Sequence, residues 1–358
     1  MPGNTRDVRR YDPLAVRALV VDIARAVGVN AADADLFAEA LTDADLHGLP
    51  THGVSRLEIY IRRICLGLID PRAPLTVQET SGSVLVVDAG NGLGQVQASK
   101  VLQLLLPYAR KNGVAAATIR RSNHFGSLSY YCNKAAAAEM LLFAATNAEP
   151  GMSAEGGCEP CMGTNPLAMS FPTGKGFFVK TDLATSVVAR GNIIASRKRQ
   201  EPIPDDWAFD IDGQPTTDAE RALEGSVRPM AGHKGYALAV MVEALAGVLS
   251  GAAVGPHVGS MYKNLDRPQD VGHFFCLINI GAFIDPRDFT TQMDAFIDAI
   301  KASRRRPGVR EIPIPGERSR SIAAENTARG LPIERETLRE LEHLCRSLHV
   351  PFTLAERP

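Results

Sequence analysis

The 358-residue chain has almost no charge imbalance, a single tryptophan and no cysteine framework, and each shortage closes off a class of protein. A net charge of −1 leaves no global attraction for nucleic acid or for an anionic membrane surface. Cys65, Cys132, Cys158, Cys161, Cys276 and Cys345 are scattered without disulfide-scaffold spacing, so a reduced, cytoplasmic setting is expected. Cys158 and Cys161 form one C-x-x-C pair, with no second pair and no nearby histidine to complete a zinc set. The N-terminal MPGNTRDVRRYDP lacks the apolar core of a signal peptide. One apolar run, YALAVMVEALAGVLSGAAV between Gly235 and Gly255, is long enough to compare with a membrane span. Glu243 at its middle and the lack of a second span point instead to a buried core helix. The basic stretch RRRPGVREIPIPGERSR has no interleaved aromatics, so it does not read as a single-strand nucleic-acid groove.

What remains is an ordinary globular composition, 45% hydrophobic and 22% charged, with room for roughly two domains. Helical spacing covers 13–28, 30–45 and 51–66, with Gly28 and Gly67 as stops. Strands are expected at 83–88, 114–120, 140–147, around the Thr173–Gly176 turn, and at 273–286, with helices at 289–303 and 334–348. The order predicts an α+β fold: a mixed, largely antiparallel sheet with flanking helices, plus a helical domain built from both chain ends. The expected boundaries are 1–78 joined by 287–358 for the helical unit, and 79–286 for the α+β unit.

The chemistry concentrates first in DLHGLPTHGVSRLEIY, Asp45 to Tyr60. If Thr51 caps a helix there, His52, Arg56 and Tyr60 stand one above another on a single face. An imidazole to move protons, a guanidinium to grip a carboxylate and a phenol make a small-acid site; a capped turn with a solvated arginine is the plainer alternative. Gly90, Gly92 and Gly94 follow a β-branched run, yet G-x-G-x-G lacks the spacing of the Rossmann fingerprint, and Gln95 stands where its third glycine belongs. His124 in RSNHFG follows a strand end, where a loop could present it to a cleft. Asp182 in TDLATS either caps a following helix or orients an imidazole. His233 and Lys234 precede the apolar helix, where a lysine beside free amides suits an anion or is merely solvated. Arg197, Lys198 and Arg199 could meet a 2′-phosphate or simply face water. A metal-dependent hydrolase using His47, His52 and His124 lacks an acidic ligand at metal-site spacing.

HGLPTHGVSRL, RSNHFG, MGTNPLAMSFP, TDLATS, IPDDWAFDIDGQPTTD, GHKGYAL and IPGE occur in one order over nearly the whole chain. This series resembles the type-2 malate/L-lactate dehydrogenase family of NAD(P)-dependent oxidoreductases, whose members include ureidoglycolate, sulfolactate and diketogulonate dehydrogenases and piperideine-2-carboxylate reductase. The resemblance implies a non-Rossmann fold and hydride transfer between NAD (NADP possible) and a small 2-hydroxy/2-oxo acid, or reduction of a cyclic 2-imino acid. A non-catalytic cofactor-binding homologue is the other-class alternative. It implies catalytic roles for His52, His124 and Asp182, and a substrate grip from Thr51, Arg56 and Tyr60, with His52 as proton donor. It assigns cofactor contacts to His124, to Phe178, Val179, Lys180, Thr181, Asp182, Leu183 and Ala184, to His233 and Lys234, and to Gly316 and Glu317. No metal is implied, and a homodimer or larger homo-oligomer is. Two departures bear on the substrate: Asn147-Ala148 where the family has Asn-Ser, and Ala154-Glu155-Gly156-Gly157 where it has Pro-Trp-Gly-Gly.

Overall fold

The computed structural model describes residues 8–357; the first seven residues, with which the helical unit was expected to begin, and Pro358 lie outside it. Strand β1 (Val8–Tyr11) leads into helices α1 (Pro13–Ala26) and α2 (Ala31–Leu46). Asp12 starts α1 by accepting from the amides of Leu14 and Ala15, and Asn30 starts α2 by accepting from that of Asp33. Their apolar stripes, including Leu19, Ile23, Phe37 and Leu41, meet in one core.

The single helix expected over 51–66 is broken at its start. Two 3-10 turns, Pro50–His52 and Val54–Arg56, precede α3 (Leu57–Cys65). The cause lies at the end of α2, where the buried Asp45 carboxylate accepts from the Val54 amide at 2.8 Å. A Cβ on residue 53 would stand 2.0 Å from Asp45 Oδ1, so only glycine lets the chain pass over that carboxylate. Thr51 therefore caps no helix; its hydroxyl lies 3.0 Å from His52 Nδ1.

The central elements are β2 (Thr76–Ser81), β3 (Val84–Asp88), α4 (Gly94–Asn112), β4 (Val114–Ser122), α5 (Leu128–Ala137) and β5 (Met140–Thr146). Short strands β6 (Met152–Ser153) and β7 (Pro160–Met162) precede the hairpin β8 (Leu167–Phe171) and β9 (Val179–Leu183). Then come α6 (Arg190–Arg199), β10 (Ala208–Phe209), α7 (Ala219–Glu224), β11 (Ser226–Val227), α8 (His233–Val242) and β12 (Val271–Asn279). The seven-stranded sheet runs β2-β3-β4-β12-β5-β8-β9, and β3 with β4 is its one parallel pair among the described residues. This is the mixed, largely antiparallel, non-Rossmann α+β sheet that the element order implies.

Both chain ends close the helical unit. After α9 (Pro286–Ala302) and α10 (Glu317–Arg329), β13 (Leu331–Glu334) pairs antiparallel with β1, and α11 (Arg335–Ser347) sends Leu338, Leu341 and Leu344 into the α1/α2 core. Helix α9 does not follow them: its buried Ile297 packs with Phe177 and Ile314 at the β9 edge. The stretch 287–358 is thus shared between the two cores rather than given wholly to the helical one. The apolar run expected to be a buried helix is buried on one side only. Ala239, Val242 and Ala246 face inward, while Val240, Met241, Val248 and Leu249 are 44, 40, 64 and 60% exposed. Where the run turns π-helical, Glu243–Val248, the buried Glu243 carboxylate accepts from Asn147, Asn165 and the Gly255 amide.

The Gly90–Gly94 turn does not cradle a dinucleotide. A Cβ on Gly94 would lie 2.3 Å from the Asn123 carbonyl oxygen and 2.7 Å from that of His124. The glycine lets α4 seat its first residue against the His124 loop. Asn123 completes the joint, its amide donating to the carbonyls of Asn91 and Gly92.

Candidate active site

A cavity of about 660 Å³ is lined by residues of both the helical unit and the sheet. Thr51, His52 and Arg56 line it from the two 3-10 turns, and His124 from the loop after β4. Lys180, Asp182 and Ala184 line it from the end of β9, and Gly316 from the approach to α10. The imidazoles of His52 and His124 stack at a centroid distance of 5.7 Å, although 72 residues separate them in sequence. Burial, reinforced by Arg56 and opposed by Asp182, lowers the His52 pKa to about 4. Burial, then His52, Arg56 and His273, hold His124 well below the ordinary imidazole range. The pair rests neutral.

Arg56 is oriented by its Nε–H, which donates to the Thr51 carbonyl at 2.7 Å. Its guanidinium also donates to the Tyr262 hydroxyl and lies 5.3 Å from the centre of that ring. Tyr60 has no place on the cavity wall. It is wholly buried, edge-on to Phe37, with its hydroxyl 2.6 Å from His124 Nδ1. The expected stacked face of His52, Arg56 and Tyr60 is therefore replaced by two layers, the first two facing the cavity and the phenol beneath His124.

Asp182 orients neither imidazole by a hydrogen bond. Its carboxylate accepts from the Ser127 hydroxyl at 3.0 Å and the Ser129 amide at 2.9 Å, closing the start of α5 rather than a helix after its own strand. Phe178, Val179, Thr181 and Leu183 do not line the cavity. Their strand instead holds Pro315–Glu317, with the Lys180 amide donating to the Pro315 carbonyl at 3.1 Å. Glu317 accepts from the Ile314 amide at 2.8 Å and pairs with Lys301 at 2.7 Å. His233 and Lys234 open α8, exposed and off this cavity. Arg197 and Arg199 pair with Glu220 and Glu201 and line a neighbouring cleft; the Lys198 side chain lies outside the described residues. Glu155, expected near the substrate, is exposed beside Gly232, whereas Ala148 and Glu149 do line the cavity.

Several residues enter without a sequence warning. Gln269 accepts from the His124 amide at 3.2 Å and donates to the Gly259 carbonyl at 3.3 Å, tying the Gly259–Gln269 loop to the histidine. Arg63, wholly buried in α3, donates to the carbonyls of Met261, Asn264 and Arg267 and so fixes the loop that carries Tyr262. Arg63 lies four residues after Ile59, among the buried residues of α3.

Cationic, hydroxyl and imidazole side chains share the lining of the cavity. Lys180, whose ammonium donates to the Ser319 hydroxyl at 2.8 Å, lines it with Arg318 and Ser319, and so do the stacked imidazoles. Gly316 turns there at φ +105°, and a Cβ on it would lie 2.3 Å from the Phe178 carbonyl oxygen, so the close approach of loop to strand needs glycine.

A model of the family described as malate/L-lactate dehydrogenase matches residues 12–342. The malate/(S)-sulfolactate dehydrogenase of Methanothermus fervidus is 34% identical over 95% of this chain and 98% of its own length. The Delta(1)-pyrroline-2-carboxylate reductase 2 of Burkholderia multivorans is 33% identical over 91% of this chain and 94% of its own. The solved sulfolactate dehydrogenase of Methanocaldococcus jannaschii superposes with a TM-score of 0.88 at 35% identity, covering 95% of this chain and 98% of that one. The family match and the fold are those of an NAD(P)-dependent oxidoreductase of small hydroxy acids. The chain belongs to the malate/L-lactate dehydrogenase family.

Proposed function

We propose that the chain interconverts a 2-hydroxy and a 2-oxo acid with NAD, that Arg56 holds the carboxylate and that His52 moves the hydroxyl proton. The observation that carries this assignment is the stacked imidazole pair beside a guanidinium on one cavity wall. The nicotinamide, when bound, supplies or accepts the hydride. Lys180, Arg318 and Gly316 would hold the cofactor at its phosphate end, with His124 toward the nicotinamide. Arg56 offers an incoming carboxylate a charge-assisted pair. That pairing offsets the positive charge that helps depress His52, so anion binding raises the His52 pKa and allows it to carry a proton to the substrate oxygen.

NAD is favoured over NADP because the arginines that could meet a 2′-phosphate, Arg197 and Arg199, are ion-paired and outside the cavity. The exposed Val240, Met241, Val248 and Leu249 support a homodimer or larger homo-oligomer, since burying them against a second copy removes four apolar side chains from water. Six unpaired cysteines fit a reducing, cytoplasmic compartment. Among the described residues no helix is long and apolar enough to cross a membrane.

The test follows NADH and NADPH absorbance with pyruvate, oxaloacetate, sulfopyruvate and a cyclic 2-imino acid. NADH oxidation by an acyclic 2-oxo acid is expected. Turnover of the imino acid alone would move the substrate to that class. Tight cofactor binding without turnover across the panel would make the chain a binding protein.

A further inference from the structure

We propose that Tyr60 is a positioning residue that locks neutral His124 with its proton on Nε2, making His124 the hydrogen-bond donor to the substrate's 2-oxo oxygen. The proposal rests on the dehydrogenase reading for its substrate and on geometry for the rest. Two groups meet His124 Nδ1: the Tyr60 hydroxyl at 2.6 Å and the Gly126 amide at 3.4 Å. A backbone N–H can only donate, so Nδ1 presents its lone pair, and the tyrosine hydroxyl must also donate there. A neutral imidazole that accepts at Nδ1 carries its proton on Nε2. Because the Nδ1 edge is turned to Tyr60 and Gly126, the Nε2 edge is the one left for the cavity that His124 lines.

The arrangement is held firmly. Phe37 packs edge-on against the Tyr60 ring at 5.5 Å, and Gln269 accepts from the His124 amide. Besides the Tyr60 phenol, the charged and titratable groups facing His124 are His52, Arg56 and His273, and these three disfavour an imidazolium. Burial pushes the Tyr60 phenol up, so the donor persists across the working range. The two histidines then divide the work. His124 polarises the oxo oxygen without giving up its proton, because its loss would leave an imidazolate, and His52 supplies the proton. Tyr60 acts through His124 and touches no substrate.

The test reads ¹⁵N shifts of the histidine rings in the cofactor-free protein. Wild type should show His124 as the Nε2–H tautomer; Tyr60→Phe leaves only the long 3.4 Å Gly126 contact on Nδ1, too weak to hold one tautomer alone, and should show a mixture. The same variant should lose ~10- to 100-fold in kcat with KM for the 2-oxo acid within about threefold, and its pH profile should gain a new dependence. An Nδ1–H tautomer in wild type, or a Tyr60→Phe protein with unchanged ring shifts and kcat, would overturn the proposal. A raised KM with unchanged kcat would also overturn it, by making Tyr60 a substrate ligand. A wild-type chain inactive on every 2-oxo acid would refute the dehydrogenase reading and the donor role with it; the tautomer is read without substrate and is judged separately.

Discussion

Gly53→Ala places a methyl carbon where the Asp45 carboxylate already sits, 2.0 Å from Oδ1, 2.2 Å from Cγ and 2.4 Å from Oδ2. No rotation of a flexible chain relieves this, because Asp45 is buried and its carboxylate holds the Val54 amide at 2.8 Å. The carboxylate must leave, stranding a buried amide at a cost of ~1–3 kcal/mol. The turns on either side carry His52 and Arg56, and a shift of about 1 Å in such groups can cost ~10²-fold in rate. Gly53→Ala should therefore lower both the unfolding free energy and kcat/KM, the latter by at least about tenfold. Removing the obstruction separates the two causes. In an Asp45→Ala background the new methyl has room, so the double mutant should be less impaired than the sum of the singles, with a coupling of ~0.5–3 kcal/mol. Urea unfolding and steady-state kinetics on the four proteins measure it. Wild-type stability and kcat/KM in Gly53→Ala, or strict additivity around the cycle, would mean that the Asp45 carboxylate does not require glycine at position 53.

Arg56→Lys keeps the charge but loses the planar fork and the Nε contact to Thr51, so KM for the 2-oxo acid should rise ~10- to 100-fold with a smaller change in kcat. Equal KM values in the two proteins would remove Arg56 from the carboxylate site. His273 lies between Ser122 and Thr146, 2.8 and 2.7 Å from their hydroxyls, and burial lowers its pKa to about 3. Between that value and the unfolded ~6.5 the unfolded chain binds the extra proton, so this group's contribution drains away as pH falls through the window. His273→Gln, whose amide can still bond both hydroxyls, should lose on the order of 1–2 kcal/mol less stability than wild type between pH 7 and pH 5. Parallel losses measured by urea unfolding at the two pH values would contradict it.

Much of the fold was legible because its signals are local. A β-branched run marks β3, and the G-x-G-x-G spacing argues against a Rossmann turn. The role of Gly94 was not legible, because the atoms it must avoid belong to Asn123 and His124, across a strand. The helix expected over 51–66 missed a long-range competitor: Asp45 takes the Val54 amide, and the turn follows that bond rather than helix propensity. Residue types singled out His52, Arg56 and His124, and these three line one cavity. Tyr60 is nearby but faces His124, a distinction that i, i+4, i+8 spacing cannot make once the helix begins at Leu57. Tyr262 and Gln269 come from a loop more than 200 residues after Arg56 in chain order, held by a buried arginine. His233 and Lys234 sat in a motif yet stand off the cavity, since sequence order gives no account of which end of α8 meets the sheet.

On the proposed division of labour, His52 carries the proton and His124 polarises the oxygen. Single-turnover reduction of a 2-oxo acid by His52→Asn and His124→Asn, each saturated with reduced cofactor, separates the two roles. General acid–base catalysis contributes ~10²–10⁴-fold, so His52→Asn should slow the chemical step by that much. His124→Asn keeps an N–H donor and should be slowed less. If His52→Asn turns over within about tenfold of wild type while His124→Asn falls by ~10³, the proton belongs to His124 and the assignment is wrong.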